Sequence, residues 1–172
     1  CTPPFQTTLV DYLRPINVKV NRNTTAKGYC AVFTCATTMA VHLTCVPYLS
    51  TQAFLQALDH FISIRGAPAT MISDNGTCFR GAHKTINELN LKLDRTDLRE
   101  HCNRFRVQWK FGPPCGPHHQ GAVERMVQEV KKAMRHLVKA DRLSFPEWET
   151  ILCQISSLIN SCPVTAIIIF TT

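Results

Sequence analysis

The sequence predicts an α/β fold in which helices flank a mixed five-stranded sheet. Several continuous apolar runs are typical of strands covered on both faces. Other stretches repeat their apolar residues every three or four positions, as helices with one buried face do. Three strands come first, and strands then alternate with helices, an order typical of mixed sheets. At 172 residues the chain has the length of one domain with a sizeable core.

The amino-terminal part is predicted to be a meander of three strands. Leu9–Leu13 is the first, Gly28–Cys35 the second and Met39–Val46 the third. The polar stretch Asn21–Lys27 is expected to be the turn region between hairpin strands.

A helix and a fourth strand follow the meander. Ser50 or Thr51 can cap a helix whose apolar positions run from Phe54 to Ile64 and which ends at Gly66. The short strand Thr70–Ser73 then leads directly into a tight turn, Asp74-Asn75-Gly76-Thr77.

The carboxy-terminal part contains three predicted helices and the fifth strand. A weaker helix is expected over Ala82–Leu93 and a strand over Val107–Phe111. The turn-rich loop Gly112–Pro117 leads into a long amphipathic helix at residues 117–139, and a final helix spans Phe145–Asn160.

The composition favours a polyanionic partner and a reducing compartment. The net charge is +7, with a pI near 9.1. The nine cysteines are odd in number and lack the spacing of a zinc site, so we expect no zinc and mostly buried, free thiols. No apolar run has membrane-spanning length. Because the chain starts at Cys1 rather than methionine, we expect it to be a fragment of a longer protein.

One edge of the helix at 117–139 carries an acid followed by polar and basic residues. Glu124, Gln128, Lys131 and Arg135 recur at helical spacing on one face. Such a face could hold a metal ion and lie along a phosphate backbone. Taken alone, the pattern more often belongs to a solvated surface whose acid sits favourably at the positive end of the helix dipole.

Two further carboxylates are predicted at the same edge of the sheet. Asp11 lies in the first strand, Asp74 ends the fourth, and Glu124 begins the helix after the fifth. Singly, each has an ordinary structural explanation, such as a turn or a helix start. Together, they suit Mg²⁺, which prefers carboxylate oxygens. Two such ions, about 3.5–4 Å apart, support phosphodiester chemistry.

The sequence resembles the catalytic core of retroviral-type integrases. Three acidic motifs carry the resemblance: Val10-Asp11-Tyr12, Ser73-Asp74-Asn75-Gly76-Thr77 and Gln120-Gly121-Ala122-Val123-Glu124. Further stretches are similar to the BEL/Pao branch of LTR retrotransposons, namely Lys27-Gly28-Tyr29, Ala40-Val41-His42-Leu43, Trp109-Lys110-Phe111 with Pro113-Pro114, Pro117-His118, Leu152-Cys153-Gln154-Ile155 and Leu158-Ile159-Asn160-Ser161. The resemblance covers residues 5–165, and residues 166–172 form a divergent or truncated tail.

The resemblance implies a ribonuclease-H-like fold and a DDE active site. Asp11, Asp74 and Glu124 would be both the catalytic residues and the ligands of Mg²⁺ or Mn²⁺, as two ions. Gln120 and Gly121 would lie in a mobile active-site loop, and Lys131 would face the DNA end. The residues expected to contact or border DNA are Lys131, Gln120, Gly121, Asn75, Thr77, His118, Gln128 and Arg135.

The implied activity is trimming of the element's DNA ends and their joining to target DNA. The implied partners are these DNAs and further copies of the chain, with no membrane, inside the cell and in the nucleus when acting on DNA. An inactive nucleic-acid-binding relic and a metal-dependent nuclease are the alternatives. Arg14 before Pro15, and Gln120 and Val123 before the third acid, depart from the BEL/Pao pattern.

Overall fold

The computed structural model describes residues 3–13, 15–74, 76–93, 107–112, 117–137 and 143–161. It confirms the predicted fold class, since a mixed sheet is flanked by helices. The elements in chain order are β1 (Thr7–Tyr12), β2 (Ile16–Asn21), β3 (Thr24–Cys35), β4 (Val41–Val46), α1 (Thr51–Arg65), β5 (Thr70–Ser73), α2 (Thr77–Leu93), β6 (Gln108–Phe111), α3 (Pro117–Leu137), β7 (Leu143–Ser144) and α4 (Phe145–Ser161).

The sheet has the order β6-β5-β1-β3-β2-β7, with β4 on β3. β3 is antiparallel to β1, β2 and β4, whereas β5 is parallel to β1 and β6. α1 lies between β4 and β5 in the chain, and α2 between β5 and β6. Parallel neighbours need such crossovers because the chain must return to the same end of the sheet.

Two strands exceed the predicted five. β2 pairs with the first half of β3, so Thr24–Lys27, predicted to be part of a turn, is strand instead. β7 adds two residues beside β2. The prediction was wrong here because β2 buries only alternate side chains and carries polar residues between them, which resembles a loop in sequence.

Two hydrophobic cores lie on opposite faces of the sheet. Alternate residues of β3 supply both, Phe33 to the first and Val32 to the second. The first core includes α1 and α2, and in it the ring of Phe33 stacks on that of Phe61 at 4.4 Å. The second includes α3 and α4, with Val130 and Leu152 fully buried. The central strands are therefore covered on both faces, which explains their continuous apolar sequences.

The helices begin and end at residues with clear local roles. The Ser50 side chain accepts a hydrogen bond from the amide of Ala53, which confirms the predicted cap of α1, and Gly66 ends the helix at φ 88°. α2 begins at Thr77, five residues before the predicted Ala82. Within the described ranges, no helix is long and apolar enough to span a membrane.

Helix α4 covers the edge strand β4 with three of its side chains. The Asn160 amide accepts from the backbone N–H of Val41 and donates to its carbonyl, both at 2.8 Å. The Ser156 hydroxyl accepts from the Leu43 amide at 3.2 Å, and Glu149 accepts from the Cys45 amide at 2.6 Å. The outward-facing amides of an edge strand normally invite pairing with another chain. Here α4 satisfies them instead.

The cysteines of the sheet are buried as predicted, and Cys35 also accepts hydrogen bonds from the Phe5 and Thr38 amides, which lower the pKa of its thiol. Cys30, Cys35 and Cys45 are buried and free. Burial raises the pKa of the Cys30 and Cys45 thiols, which keeps them protonated and poorly reactive.

His42 makes stability depend on pH. Its ring packs beside Phe33 and Phe61, its Nε2 is buried without a hydrogen-bond partner, and burial, aided by the charges of His60 and Arg65, lowers its pKa from 6.5 to about 4. The native state therefore binds this proton less readily than the unfolded state. Its stabilising contribution is complete above pH 6.5 and declines as the pH falls towards 4.

Substituting His42→Phe should flatten this part of the pH profile. Urea unfolding at pH 7 and pH 4.5 would measure the difference in free energy of unfolding for both proteins. His136→Gln, an exposed histidine on α3, is the matched control and should keep the parental difference. An unchanged difference in His42→Phe would show that another group causes the acid sensitivity.

Candidate active site at the sheet edge

Two aspartates meet where the parallel strands β1 and β5 end. The register pairs Leu9 with Ile72 and Val10 with Ser73, so Asp11 and Asp74 are the next residues on adjacent strands. Adjacent strands lie about 4.8 Å apart. The structure thus brings these two predicted ligands together, and we call the pair the acidic edge.

The proximity of Asp74 affects the pKa of Asp11. Its carboxylate accepts a hydrogen bond from the Tyr12 amide at 2.7 Å. Partial burial raises the pKa of Asp11 above its usual 3.8, and the neighbouring charge of Asp74 raises it further. The Tyr12 hydrogen bond and the charge of Lys131 act in the opposite direction. A cation near both carboxylates would relieve their repulsion.

Asp74 is held by the turn that follows it and by the strand before it. Its Oδ1 accepts from the Gly76 amide at 2.8 Å. The Trp109 indole donates to the Ser73 hydroxyl at 2.9 Å, and that hydroxyl donates to the Asp74 carbonyl at 3.0 Å. β6 thereby fixes the end of β5 and with it the backbone position from which the Asp74 side chain extends.

Aromatic packing supports the acidic edge from the side of the first core. The ring of Tyr12 stacks on Phe79 of α2 at 5.3 Å and meets Phe54 of α1 edge-on at 6.4 Å. Phe79 lies in the first turn of α2, three residues after Gly76. The residue after Asp11 is therefore packed against the helix that follows Asp74, which couples the positions of the two carboxylates.

Lys131 on helix α3 has an electrostatic influence on the acidic edge. The charge of Lys131 lowers the pKa of Asp11 and is the smallest of the four influences on that carboxyl group. The neighbouring Lys132 instead pairs with Glu129 of the same helix at 2.9 Å, an ordinary surface contact. The influence of Lys131 on Asp11 favours the first explanation left open for this helix, whereas the contact of Lys132 with Glu129 is typical of a solvated face.

Glu124 does not join the two aspartates in this structure. Its side chain is exposed. It precedes Lys131 by seven residues, which is nearly two turns on the same stripe and about 10 Å along the helix axis. Among the described residues, no three His, Cys, Asp or Glu side chains lie close enough to hold a metal ion. The geometry therefore assembles two of the three predicted ligands.

The predicted DNA-contacting residues fall around this edge to different extents. Thr77 is exposed at the first position of α2. Gln128 and Arg135 are exposed on α3, and the Arg135 Nε donates to the Lys131 carbonyl at 3.3 Å. Asn75 lies outside the described residues, as do all positions of the predicted tail at 166–172.

Gln120 and Gly121 lie in the helix predicted at residues 117–139, and not in the mobile loop that the resemblance implied. α3 begins at Pro117, so the backbone of His118, Gln120 and Gly121 belongs to its first turns. Proline is well suited to the first helical position, because its φ is already helical and its missing N–H would have no partner there. A run of proline, glycine and histidine is typical of a loop in sequence, but here the same residues form the start of a helix.

Sequence reasoning did not single out the residues that position the aspartates. The hydrogen bond between Trp109 and Ser73 and the stacking of Tyr12 on Phe79 have no local pattern. A signal existed for the first, since a buried indole N–H needs an acceptor and Ser73 is a polar residue in an apolar strand.

Comparison with known proteins identifies the fold. No protein-family profile and no curated protein matches the chain. Among solved structures, the catalytic core domain of BIV integrase is similar, with a TM-score of 0.58 and 18% identity over 91% of this chain and 84% of that one. The simian T-cell lymphotropic virus intasome, in complex with PP2A regulatory subunit B56 gamma, is similar at 0.57 and 16%, over 92% of this chain. This chain spans 49% of that one. The fold is therefore that of retroviral integrase cores.

Proposed function

We propose that the chain is the catalytic core of a DDE-type integrase from an LTR retrotransposon of the BEL/Pao type. Its reaction would be metal-dependent trimming of DNA ends and their joining to target DNA. The observation that carries the proposal is the acidic edge itself. Asp11 and Asp74 lie side by side at the ends of paired parallel strands, with Lys131 acting on Asp11.

The donor chemistry at the acidic edge suits a hard divalent cation. Asp11 and Asp74 offer adjacent carboxylates whose repulsion a Mg²⁺ or Mn²⁺ ion would relieve. Asp11, Asp74 and Glu124 are the residues that would hold the ions. When bound, such ions supply an activated nucleophilic oxygen and stabilise the leaving oxygen of a phosphodiester.

The chain's own residues would orient the DNA around that site. The Tyr12 and Gly76 amides fix one oxygen each of Asp11 and Asp74, which leaves the other carboxylate oxygens for ligation. Lys131 would neutralise a phosphate beside the acidic edge, and Gln128 and Arg135 would extend the contact along α3.

The remaining parts of the proposal follow from the type of reaction. The partners would be the element's DNA ends and target DNA, with further copies of the chain in a multimer. The site of action would be inside the cell, and in the nucleus when the DNA is chromosomal. What supports this part is the integrase fold, together with the net charge of +7.

A joining assay tests the proposal against its two rivals. A labelled duplex that carries a recessed 3′ end would be incubated with the chain, a supercoiled plasmid and Mn²⁺ or Mg²⁺. Label transferred to the plasmid supports an integrase. Nicking without transfer supports a metal-dependent nuclease, and DNA binding without either reaction supports an inactive relic.

Gly76 offers a specific test of how Asp74 is positioned. A methyl group added there would come within 2.9 Å of the Asp74 Oδ1 and 3.3 Å of the Phe79 ring. Gly76→Ala should displace the carboxylate and weaken Mn²⁺ binding by about tenfold, a typical cost of disturbing the groups that orient a ligand. Titration followed by Mn²⁺ electron paramagnetic resonance would measure this affinity.

Gly66 provides the matched control for that substitution. An added Cβ there meets nothing within 4 Å, but its φ of +88° strains any other residue. Gly66→Ala should therefore lower the free energy of unfolding by about 1 kcal/mol and leave the Mn²⁺ affinity unchanged. Equal affinities for Gly76→Ala and the parent would show that Asp74 does not ligate the ion through this geometry.

A further inference from the structure

The hairpin formed by β2 and the first half of β3 extends the sheet beyond the acidic edge. β2 continues in the direction of β1 along the same strand β3: Asp11 lies opposite Val32, and Ile16 opposite Gly28. From Val32, β3 runs five residues to Lys27 and eight to Thr24, or about 17 Å and 26 Å at 3.3 Å per residue. The hairpin tip is thus two to three nanometres from Asp11.

The hairpin carries positive charge only. Its residues 16–28 include Lys19, Arg22 and Lys27 and contain no acidic residue. All three side chains are exposed. Lys27 lies opposite Asn17, and Lys19 opposite Thr25, so the two lysines project from the same face as diagonal neighbours about 7–8 Å apart. Arg22 follows at the turn.

The two faces of the hairpin have different environments. Ile16 and Val18 are buried in the second core, and the Trp148 indole of α4 donates to the Asn17 carbonyl at 2.9 Å. α4 therefore packs on the face that carries Ile16 and Val18, and the register puts Lys19 and Lys27 on the other face. Of the nearby acids, Glu147 at the start of α4 feels the charge of Lys19. In the part of the chain that the structure describes, Lys27 and Arg22 form no ion pair, so they are the main charges proposed for an anionic partner.

We propose that the outward face of this hairpin, formed by Lys19, Arg22 and Lys27, is a second binding surface for duplex DNA. It would contact the phosphate backbone without reading its sequence, since backbone contacts depend on charge rather than on base edges. This inference rests on the proposed function for the presence of DNA. The charge supports DNA because the hairpin itself contains three cations and no acid, and such cations repel one another until a polyanion neutralises them. One strand of B-DNA places a phosphate every 3.4 Å along its axis, so the hairpin would meet the backbone about five to eight nucleotides from the acidic edge.

Salt dependence tests the inference without any chemistry at the acidic edge. The affinity of the full chain for a 30-base-pair duplex would be measured by fluorescence anisotropy in EDTA over a range of KCl concentrations. In the variant Arg22→Gln/Lys27→Gln, the slope of log K against log salt should become shallower by about 1.8, since each phosphate contact contributes about 0.9. The affinity near 0.1 M salt should fall by at least about tenfold.

A charge-matched variant separates the hairpin from general basicity. Lys84→Gln/Lys110→Gln removes the same charge from exposed positions on α2 and β6, at the other end of the sheet. The slope of log K against log salt for this variant should change by less than half of the change expected for the hairpin variant. Equal slopes for the two variants, or an unchanged slope in the hairpin variant, would overturn the inference. So would preferential binding of polyglutamate, which would indicate an acidic protein as the partner.

The hairpin and the acidic edge can fail independently. A shallower slope in the hairpin variant together with no joining in the parent would support the hairpin surface and contradict the proposed reaction. Joining by the parent, together with an unchanged salt slope in the hairpin variant, would support the proposed reaction and contradict the hairpin surface.

Discussion

Asp11→Asn is expected to reduce metal-dependent joining and nicking of DNA by about three orders of magnitude or more while the chain stays folded. Amide oxygens are weaker ligands than carboxylates, and the acidic edge would lose half of its paired negative charge. Asp74→Asn should have an effect of the same size because the two residues occupy equivalent positions on paired strands. Initial rates of product formation with Mn²⁺ would measure both.

Glu124→Gln decides whether the third predicted ligand takes part. The structure places Glu124 on the stripe of α3 that carries Lys131, but not in a group with the two aspartates. A loss equal to that of Asp11→Asn would show that α3 and the aspartates act together once metal and DNA are bound. Glu88→Gln on the exposed side of α2 is the matched control and should keep the parental rate. Full activity in Asp11→Asn would end the metal-dependent proposal.

Asp11→Asn should not destabilise the protein. The folded-state pKa of Asp11 is raised, mainly by burial and then by Asp74, so its carboxylate costs stability as the pH rises through and above 3.8. At neutral pH, Asp11→Asn removes this cost, and its melting temperature without metal should equal or exceed that of the parent. Added Mn²⁺ should raise the melting temperature of the parent but not of the variant, because only the parent binds the ion tightly.

The sequence was sufficient for those strands whose two faces are both buried. β3 and β4 are continuous apolar runs because the two cores cover them on opposite sides. β2 was missed because one of its faces is exposed and carries lysine and asparagine. β7 was missed because two residues have no pattern, and pairing with β2 alone makes them a strand.

The early start of α2 was also beyond local pattern. Residues 77–81 include a glycine, which disfavours helix. Gly81 is required there because a Cβ would collide with the Thr51 side chain of α1. Close packing of α1 on α2 therefore outweighs the local preference, and that packing is a tertiary property.

For the candidate site, the sequence predicted which residues lie near the sheet edge better than it predicted the distances between them. Asp11 and Asp74 could be placed together because the ends of parallel strands meet at one edge. Helical spacing also put Glu124 and Lys131 on one stripe of α3. How far along the sheet edge that helix sits depends on how Met126 and Val130 pack in the second core, which no local pattern encodes. For this reason helical spacing alone could not show that the charge of Lys131 acts on Asp11 while Glu124 does not join the two aspartates.

Removing the side chains by which α4 covers β4 should cause the largest loss of stability. Glu149→Ala/Asn160→Ala would leave the Cys45 amide and both backbone groups of Val41 without their partners. Each orphaned group costs about 1–3 kcal/mol. The two sites lie about 16 Å apart along α4, so their effects should add. The sum is comparable with the total free energy of unfolding of a domain, about 5–15 kcal/mol.

Urea unfolding at neutral pH would measure this loss, with Gln154→Ala on the exposed side of α4 as the control. That control should change the free energy of unfolding by no more than about 0.5 kcal/mol. The double variant has a second expected consequence, because an uncovered edge strand is a template for pairing with another chain. Concentration-dependent aggregation of the double variant, absent from the control, would show that α4 both stabilises β4 and protects it. A monomeric double variant with parental stability would mean that water replaces these side chains at no cost. The similarity of the Leu158-Ile159-Asn160-Ser161 stretch to the BEL/Pao branch would then need an explanation other than this contact.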